Sequence, residues 1–277
     1  MILVFDVGNT ETTIGLFEAA TLRGHWRIIS GVERTADEFG VLLRGLLALD
    51  GFTSPTIDGA AVGSVVPRVT DPLIAACKTL STGPVVLVDA RAPLPIRVDV
   101  DEPLTVGADR LINTLAASRL FERDAIVVDM GTATTFDCIT GDGVFIGGVI
   151  APGVQTALET LVRRTSKLPA TELVVPPDVI GRRTEDCIRA GVMFGQADAI
   201  DGIVRRIKKS WPGKQEPIVI ATGGLAETFR TLCSEFDRVE PFLTLSGLQM
   251  AFAHLTSGAR SSRRPEKKPV KLAKRSS

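Results

Sequence analysis

One short turn occurs twice in this chain, each time at the end of an apolar run, and this repetition restricts the fold more than any other feature. The first copy is Ile2–Asp6 followed by Val-Gly-Asn-Thr, and the second is Ala125–Asp129 followed by Met-Gly-Thr-Ala-Thr-Thr. Short apolar runs that end in turn residues are typical of buried strands. The sequence therefore predicts two equivalent strand–turn–strand units, each with an aspartate at the end of its first strand.

The predicted elements around the two copies follow similar orders. The first half reads as three extended segments, a helix, a strand, a helix and a strand, at 2–6, 12–19, 23–30, 35–50, 59–66, 69–80 and 85–89. After a helix near 111–121, the second half begins with three extended segments and continues with two helices, a strand and a helix, at 125–129, 134–140, 144–152, 154–165, 184–209, 217–221 and after 224. A duplicated α/β fold explains both halves.

The composition indicates a globular protein of two domains. The length of 277 residues suits two domains of ordinary size, with 44% apolar and 23% charged residues. We expect domains at 1–115 and 116–255. Residues 256–277 carry eight lysine or arginine residues and one glutamate, so their net charge is +7 and the rest of the neutral chain carries −7. Such a segment is typical of a disordered tail, and the acidic remainder argues against nucleic-acid binding.

The sequence predicts neither a membrane span nor a signal peptide. Glycine and proline interrupt the longest apolar stretches well short of the length that a spanning helix needs. Only five residues precede Asp6, too few for a basic region followed by a long apolar one.

The repeated turn has the composition of a phosphate-binding site. Glycine lets the backbone approach an oxyanion closely, and successive backbone N–H groups in such a turn attract anions. Hydroxyl donors could come from Thr10, Thr12, Thr132 and Thr134. Because a carboxylate repels phosphate, the aspartate of each turn would hold a cation that the phosphates share. A hairpin turn capped by aspartate explains one copy but leaves the pair unexplained.

A third glycine-rich turn, Thr222-Gly223-Gly224, follows a predicted buried strand and precedes a predicted helix. A glycine pair at the start of a helix admits a nucleotide and offers the positive end of the helix dipole. The chain has neither a Walker A loop nor the GxGxxG fingerprint. If it binds ATP, it therefore does so by another arrangement, for which these turns are the candidates.

Four motifs in this chain, in order, resemble those of type III pantothenate kinase. They are Asp6-Val-Gly-Asn-Thr10, Gly107-Ala-Asp-Arg110, Asp129-Met-Gly-Thr-Ala-Thr-Thr-Phe-Asp137 and Ala221-Thr-Gly-Gly-Leu-Ala226, and the resemblance covers about residues 1–255. The family belongs to the superfamily of acetate kinase, sugar kinases and actin, so the resemblance implies two ribonuclease-H-like domains around a nucleotide cleft. It also implies ATP-dependent phosphorylation of pantothenate, the first step of coenzyme A synthesis, by a cytoplasmic homodimer.

The resemblance also implies roles for individual residues. ATP would contact Asp6, Val7, Gly8, Asn9, Thr10, Glu11, Thr12, Thr13 and Thr132, and the residues alone add Gly223 and Gly224. Pantothenate would contact Gly107, Ala108, Asp109, Arg110 and the position of Val100, together with Thr184 from the other subunit. Asp109 would be the general base, Asp6 would bind Mg²⁺ with the phosphates, and Asp129 would bind potassium or ammonium.

Several of these assignments have alternatives. Asp109 could cap a helix or pair with Arg110, and Arg110 could bind either the pantothenate carboxylate or a phosphate. Val100 stands where the family commonly has a substrate-contacting tyrosine, so this contact is either supplied differently or weakened. Gly191 and Gly195, one helical turn apart, could lie at the dimer interface or pack inside one domain.

Three other functions remain compatible with the motifs. The same family includes transcriptional accessory factors, which the basic tail slightly favours, and turnover of pantothenate would distinguish an enzyme from such a factor. An actin-like assembly protein is disfavoured because the chain is short and lacks large insertions. A kinase of the same fold could also act on another small alcohol.

Overall fold

The computed structural model describes residues 1–53 and 55–261 and contains two sheets. The strands of the first sheet are β1 (Ile2–Val7), β2 (Glu11–Glu18), β3 (Thr21–Ile29), β4 (Gly59–Ser64) and β5 (Val85–Val88). They lie in the order β3-β2-β1-β4-β5. The strands β1, β2 and β3 form an antiparallel meander, and β4 and β5 extend the sheet in parallel from β1.

The second sheet repeats this topology. Its strands are β6 (Arg97–Val98), β7 (Ala125–Met130), β8 (Ala133–Ile139), β9 (Val144–Pro152), β10 (Ile218–Thr222) and β11 (Arg238–Val239). Five of them lie in the order β9-β8-β7-β10-β11, which matches the first sheet strand for strand, and β6 adds a short parallel pairing at the edge of β9. The prediction of a duplicated α/β fold with ribonuclease-H-like halves is confirmed.

Helices cover the two sheets. They are α1 (Ala36–Leu49), α2 (Pro67–Leu80), α3 (Ala108–Phe121), α4 (Val154–Arg164), α5 (Thr184–Lys209), α6 (Ala226–Phe229) and α7 (Leu243–Ser261), with a 3-10 turn at Pro103–Thr105. A capping box starts α1, because Glu38 N donates to Thr35 Oγ1 (3.3 Å) and Thr35 N donates to Glu38 Oε2 (2.7 Å). Within residues 1–53 and 55–261, no helix combines the length and apolarity needed to cross a membrane.

The helices α3 and α7 pack against each other beside the first sheet. Val4 of β1, Ile112 of α3 and Leu248 of α7 belong to one buried apolar cluster. The helices approach closely because α7 has a glycine at the contact: a Cβ on Gly247 would lie 2.4 Å from the carbonyl oxygen of Ile112. The helix α3 also contacts β7 and β8 of the second sheet. It therefore lies between the sheets, with its first turns beside the ends of β1 and β7.

The C-terminal helix α7 follows the second sheet in the chain but packs on the first. The predicted boundaries at 1–115 and 116–255 divide the chain by sequence alone, and they separate α7 from the sheet that it covers. The helix continues to Ser261, so residues 256–261 of the predicted tail are helical. The physical reason is the buried apolar face of α7, which includes Ala251 and Phe252. The remaining residues of the predicted tail, 262–277, lie outside the described residues.

Candidate active site

The two repeated turns face each other across a cleft between the sheets, and their threonines are in contact. Thr10 Oγ1 lies 2.8 Å from Thr132 Oγ1, although 122 residues separate the two in sequence. Each turn is closed by a backbone hydrogen bond of 3.0 Å donated by its glycine, Gly8 in the first copy and Gly131 in the second. The structure thus brings the two halves of the repeat to one place.

The four threonines of the repeat differ in where their hydroxyl groups lie. Thr10 and Thr132 are exposed at the cleft. Thr12 is buried within β2, and its Oγ1 lies 2.8 Å from Ser30 Oγ. The Oγ1 of Thr134 is buried and has no hydrogen-bond partner among the described residues. Of the four candidate hydroxyl donors, only Thr10 and Thr132 reach the cleft surface.

Asp6 and Asp129 end equivalent strands, and the cleft disfavours the charge of both. Burial raises the pKa of Asp6 to about 8, and the charges of Asp129 and Asp109 add to this rise. Burial also raises the pKa of Asp129 to about 6, while a hydrogen bond from Asn113 opposes the rise and the charge of Asp109 adds to it. Three carboxylates therefore repel one another in a poorly solvated cleft. Such a cluster favours a bound cation.

Asn113 and Thr244 orient the carboxylate of Asp129. Asn113 Nδ2 donates to Asp129 Oδ2 (3.1 Å), and Thr244 Oγ1 donates to Asn113 Oδ1 (2.9 Å). Asn113 and Thr244 are both buried. Because the threonine hydroxyl donates to the amide oxygen, the amide nitrogen must point toward Asp129. The start of α7 is thereby linked through α3 to the end of β7.

Gly223 lets the third glycine-rich turn pass beside Asp129. Its φ is +90°, and a Cβ there would lie 2.6 Å from Asp129 Oδ1, so both conformation and space require glycine. The helix that follows, α6, begins at Ala226 and has four residues. Because this helix is so short, its dipole offers little to an anion. Gly223 therefore lets this turn pack closely against the end of β7, and the turn offers little positive charge to an anion.

Asp109 lies in the first turn of α3, within the motif Gly107–Arg110 at one end of the cleft. The N-cap of this helix is Gly107, and no side chain caps it, so Asp109 is not the cap. A Cβ on Gly107 would lie 2.4 Å from Asp109 Oδ1, so this glycine leaves room for the carboxylate. The side chain of Asp109 is half-buried, and its charge acts on both Asp6 and Asp129. The structure thus groups Asp109 with the two repeated turns.

Arg110 pairs with Asp137. Its Nε donates to Asp137 Oδ1 (2.6 Å), and its guanidinium lies 4.9 Å from the centre of the Phe145 ring. Burial raises the pKa of Asp137 to about 7, while the charge of Arg110 opposes this rise. Within the described part of the chain, Arg110 forms its ion pair with Asp137 and none with Asp109. The alternative of a local pair between Asp109 and Arg110 is therefore not what the fold adopts.

Val100 borders the same end of the cleft, next to a glycine pair on β9. A Cβ on Gly147 would lie 4.0 Å from Val100 Cγ1, and one on Gly148 would lie 2.5 Å from Arg110 Nη2. Val100 and Arg110 thus pack against adjacent residues of one strand, and valine is smaller than the tyrosine that the family commonly has at position 100.

Thr184 is separate from this group within one protomer. It is the first residue of α5 and is exposed, and no hydrogen bond or ion pair of the described residues joins it to the cleft. Further along α5, Gly191 and Gly195 line a cavity of about 270 Å³ between α4 and α5. A Cβ at either glycine would meet open space, so close packing inside the protomer does not require them.

Three residues of the site had no role assigned from the sequence: Asn113, Asp137 and Thr244. Asp137 belongs to the second repeated motif, but its partner Arg110 lies 27 residues earlier. Asn113 and Thr244 are 131 residues apart. For Asn113 the available signal was a polar side chain in a predicted helix, and this signal does not reveal a partner.

The carboxylates suit a divalent cation that is bound together with phosphate. Among residues 1–53 and 55–261, no group of three or more histidine, cysteine or acidic side chains could hold a metal alone. Mg²⁺ in phosphoryl-transfer sites is held by one or two carboxylates, with waters and substrate phosphates as the other ligands. Asp6 and Asp129, whose pKa values are raised by burial, fit this requirement.

The chain is similar to known proteins over most of its length. Residues 2–206 match the family model of type III pantothenate kinase. The chain is also 42% identical over 258 residues to a type III pantothenate kinase of Moorella thermoacetica, and the alignment covers 92% of this chain and 100% of that relative.

Two solved structures share the fold at low sequence identity. The activator of the 2-hydroxyisocaproyl-CoA dehydratase from Clostridium difficile, solved with bound ADPNP, has a TM-score of 0.56 and 13% identity, covering 98% of this chain and 99% of that chain. Component A of the (R)-2-hydroxyglutaryl-CoA dehydratase from Acidaminococcus fermentans has a TM-score of 0.53 and 13% identity. The match covers 93% of this chain and 98% of that chain. These similarities concern the fold.

Proposed function

Because the chain belongs to the type III pantothenate kinase family, we propose that it transfers the γ-phosphate of ATP to the primary hydroxyl of pantothenate, the first step of coenzyme A synthesis. The observation that carries this proposal is the contact between Thr10 and Thr132, which joins the two phosphate-type turns beside three carboxylates. Phosphoryl transfer needs positioning of the phosphates and compensation of their charge, and this cleft offers residues for both.

ATP would lie with its phosphates between the two repeated turns. Backbone N–H groups of the turns at 6–13 and 131–132 would bind phosphate oxygens, as in other anion-binding turns. The hydroxyl groups of Thr10 and Thr132 would exchange their mutual hydrogen bond for bonds to phosphate. Gly223 and Gly224 would leave room for the nucleotide beside Asp129.

Two cations would offset the negative charge of the cleft. Asp6 would hold Mg²⁺ together with the phosphates, and Asp129 would hold potassium or ammonium. When bound, these cations would shield the phosphates from the carboxylates and stabilise the charge of the transferring phosphoryl group. The raised pKa values of Asp6 and Asp129 support this assignment, because a nearby positive charge would favour the ionised form of both.

Asp109 would accept the proton of the pantothenate hydroxyl as that hydroxyl attacks phosphorus. Arg110, fixed by Asp137, would bind an anionic group at the same end of the cleft. Gly107 and Ala108 would line the acceptor site, and Val100 would form part of its wall.

We also propose that the enzyme is a cytoplasmic homodimer. Leu161, which lines the α4–α5 cavity, is 38% exposed, and two apolar residues of the segment before α5 are also exposed, Val179 by 68% and Ile180 by 80%. A second subunit would cover such a surface favourably. The open space beside Gly191 and Gly195 would then receive the partner, and Thr184 would reach the acceptor site of the other subunit.

A coupled assay of ATP consumption, with and without pantothenate, tests the proposed reaction. We expect consumption that requires pantothenate and magnesium. Asp109→Asn should lower kcat by about 10²- to 10⁴-fold while MgADP binding is kept, because the amide cannot accept the proton. Nucleotide binding without any pantothenate-dependent turnover would instead indicate a regulatory protein of the same family.

A further inference from the structure

Asp137 is a fully buried carboxylate whose hydrogen-bond and ion-pair partner, among the described residues, is Arg110. Its side chain is 0% exposed, and Arg110 Nε donates to its Oδ1 at 2.6 Å. Its Oδ2 is also buried and has no hydrogen-bond partner among the described residues. Burial of a charge is costly unless it is well paired, so this carboxylate depends on Arg110.

The guanidinium of Arg110 is held on several sides. Besides its bond to Asp137, its Nη2 donates to the carbonyl oxygen of Phe136 (3.4 Å), and its Cζ lies 4.9 Å from the centre of the Phe145 ring. The glycine at position 148 leaves the space that the guanidinium occupies, since a Cβ there would lie 2.5 Å from Nη2. Residues of β8 and β9 therefore enclose the guanidinium of Arg110. Among the described residues its hydrogen bonds use Nε and Nη2, which leaves Nη1 for a ligand.

The fixed position of the Arg110 guanidinium matters because Arg110 follows Asp109 directly in the chain. The carboxyl groups of Asp6, Asp109 and Asp129 interact in this cleft, and a cation there would favour their ionised forms. A mobile arginine beside Asp109 would pair with it, and a carboxylate in an ion pair is a poor proton acceptor. In the fold Arg110 pairs instead with Asp137, whose carboxylate is fully buried.

We propose that Asp137 is a positioning residue that keeps Arg110 away from Asp109. Asp109 thereby stays free to accept the proton of the acceptor hydroxyl, and Arg110 presents Nη1 to the acceptor. The first part of this inference rests on the proposed kinase function, whereas the position of Arg110 does not.

The variant Asp137→Asn removes the charge and keeps the shape. Arg110 should then move to Asp109, and kcat with pantothenate should fall about 10- to 100-fold, because the general base is occupied. Affinity for MgADP should stay unchanged. In the Arg110→Met background the same substitution should have no effect on kcat, since no arginine remains to occupy Asp109. An equal loss of kcat in both backgrounds would overturn the proposal.

A matched control distinguishes positioning from mere support of the fold. Asp201 is another buried carboxylate of the second half, and it accepts bonds from Ser234 N (2.8 Å), Ser234 Oγ (2.6 Å) and Glu235 N (3.1 Å). Asp201→Asn should lower the melting temperature without changing kcat. If Asp137→Asn likewise lowers only the melting temperature, the proposal is wrong.

A crystal structure of Asp137→Asn separates this inference from the proposed function. If the wild-type protein does not phosphorylate pantothenate, the proposed function fails, but the position of Arg110 can still be observed. Arg110 within about 4 Å of the Asp109 carboxylate supports the inference. Arg110 retained against residue 137 overturns it.

Discussion

Replacing Asp6 by asparagine is expected to stabilise the unliganded protein while it abolishes turnover. Asparagine keeps the shape of the side chain but carries no charge, so it removes the cost of burying a carboxylate and the smaller repulsion from Asp129 and Asp109. In the working enzyme the lost carboxylate would be the one that binds magnesium with the phosphates. The same substitution should therefore act in opposite directions on stability and on activity.

The size of the gain follows from the pKa of Asp6, which rises from 3.8 to about 8. A rise of roughly four pH units corresponds to at most about 5–6 kcal/mol, at about 1.36 kcal/mol for each unit. Because the folded protein holds the proton over most of the interval between the two pKa values, we expect a gain of several kcal/mol, up to this limit, at pH 8.5. For a protein of this size each kcal/mol corresponds to a melting temperature higher by roughly 2 °C.

The gain should depend on pH. Between pH 4 and pH 8 the folded wild-type protein keeps a proton on Asp6 that the unfolded chain releases, so its stability falls as the pH rises. The asparagine variant lacks this proton. The stability difference should therefore be near zero at pH 4, grow through neutral pH and level off above pH 8.

Urea unfolding without magnesium or nucleotide, at several pH values from 4 to 9, measures this difference. Asp201→Asn serves as the control, because loss of the hydrogen bonds accepted by that carboxylate should destabilise the protein. MgATP should raise the melting temperature of the wild type much more than that of Asp6→Asn. An Asp6→Asn protein that is less stable than wild type at pH 8.5, or a difference independent of pH, would refute the reasoning.

Three further predictions concern the cation, the acceptor site and the tail. Potassium or ammonium should activate the enzyme, sodium should do so poorly, and Asp129→Asn should weaken the response to potassium. Rates measured across a potassium titration at fixed magnesium and ionic strength test this prediction. Full wild-type activity in sodium alone would contradict it. Val100→Tyr should lower the KM for pantothenate several-fold with little change in kcat, because the larger ring fills the space beside Gly147; an unchanged or higher KM would show that the acceptor does not reach this wall. Truncation after Ser261 should leave kcat and the dimer intact, as judged by the coupled assay and by light scattering, and a loss of soluble active protein would show that residues 262–277 are needed.

Much of the fold could be predicted from local sequence patterns. The apolar runs before Asp6 and Asp129 and the glycine turns after them are short-range signals, and they appear in the structure as the equivalent ends of β1 and β7. The capping box at Thr35 is likewise local, and it is present at the start of α1. Such features depend on neighbouring residues, so periodicity and turn composition suffice to predict them.

Other features could not be predicted because they depend on contacts between distant residues. The placement of α7 on the first sheet follows from the fit of Gly247 against Ile112, more than a hundred residues earlier in the chain. The helix expected after Gly224 is present as α6, but its length of four residues could not be predicted from the local pattern.

The sequence by itself determined the duplicated architecture and the set of acidic and glycine residues at the ends of its strands, because these are written in contiguous motifs. The tertiary structure alone decided how those residues act on one another. The raised pKa of Asp6 follows from its burial in the cleft and, to a smaller extent, from the charges of Asp129 and Asp109. The orientation of Asp129 requires Asn113 and Thr244. Electrostatic energy and hydrogen bonding depend on distance and burial in space, and those quantities exist only once the two sheets have packed around α3.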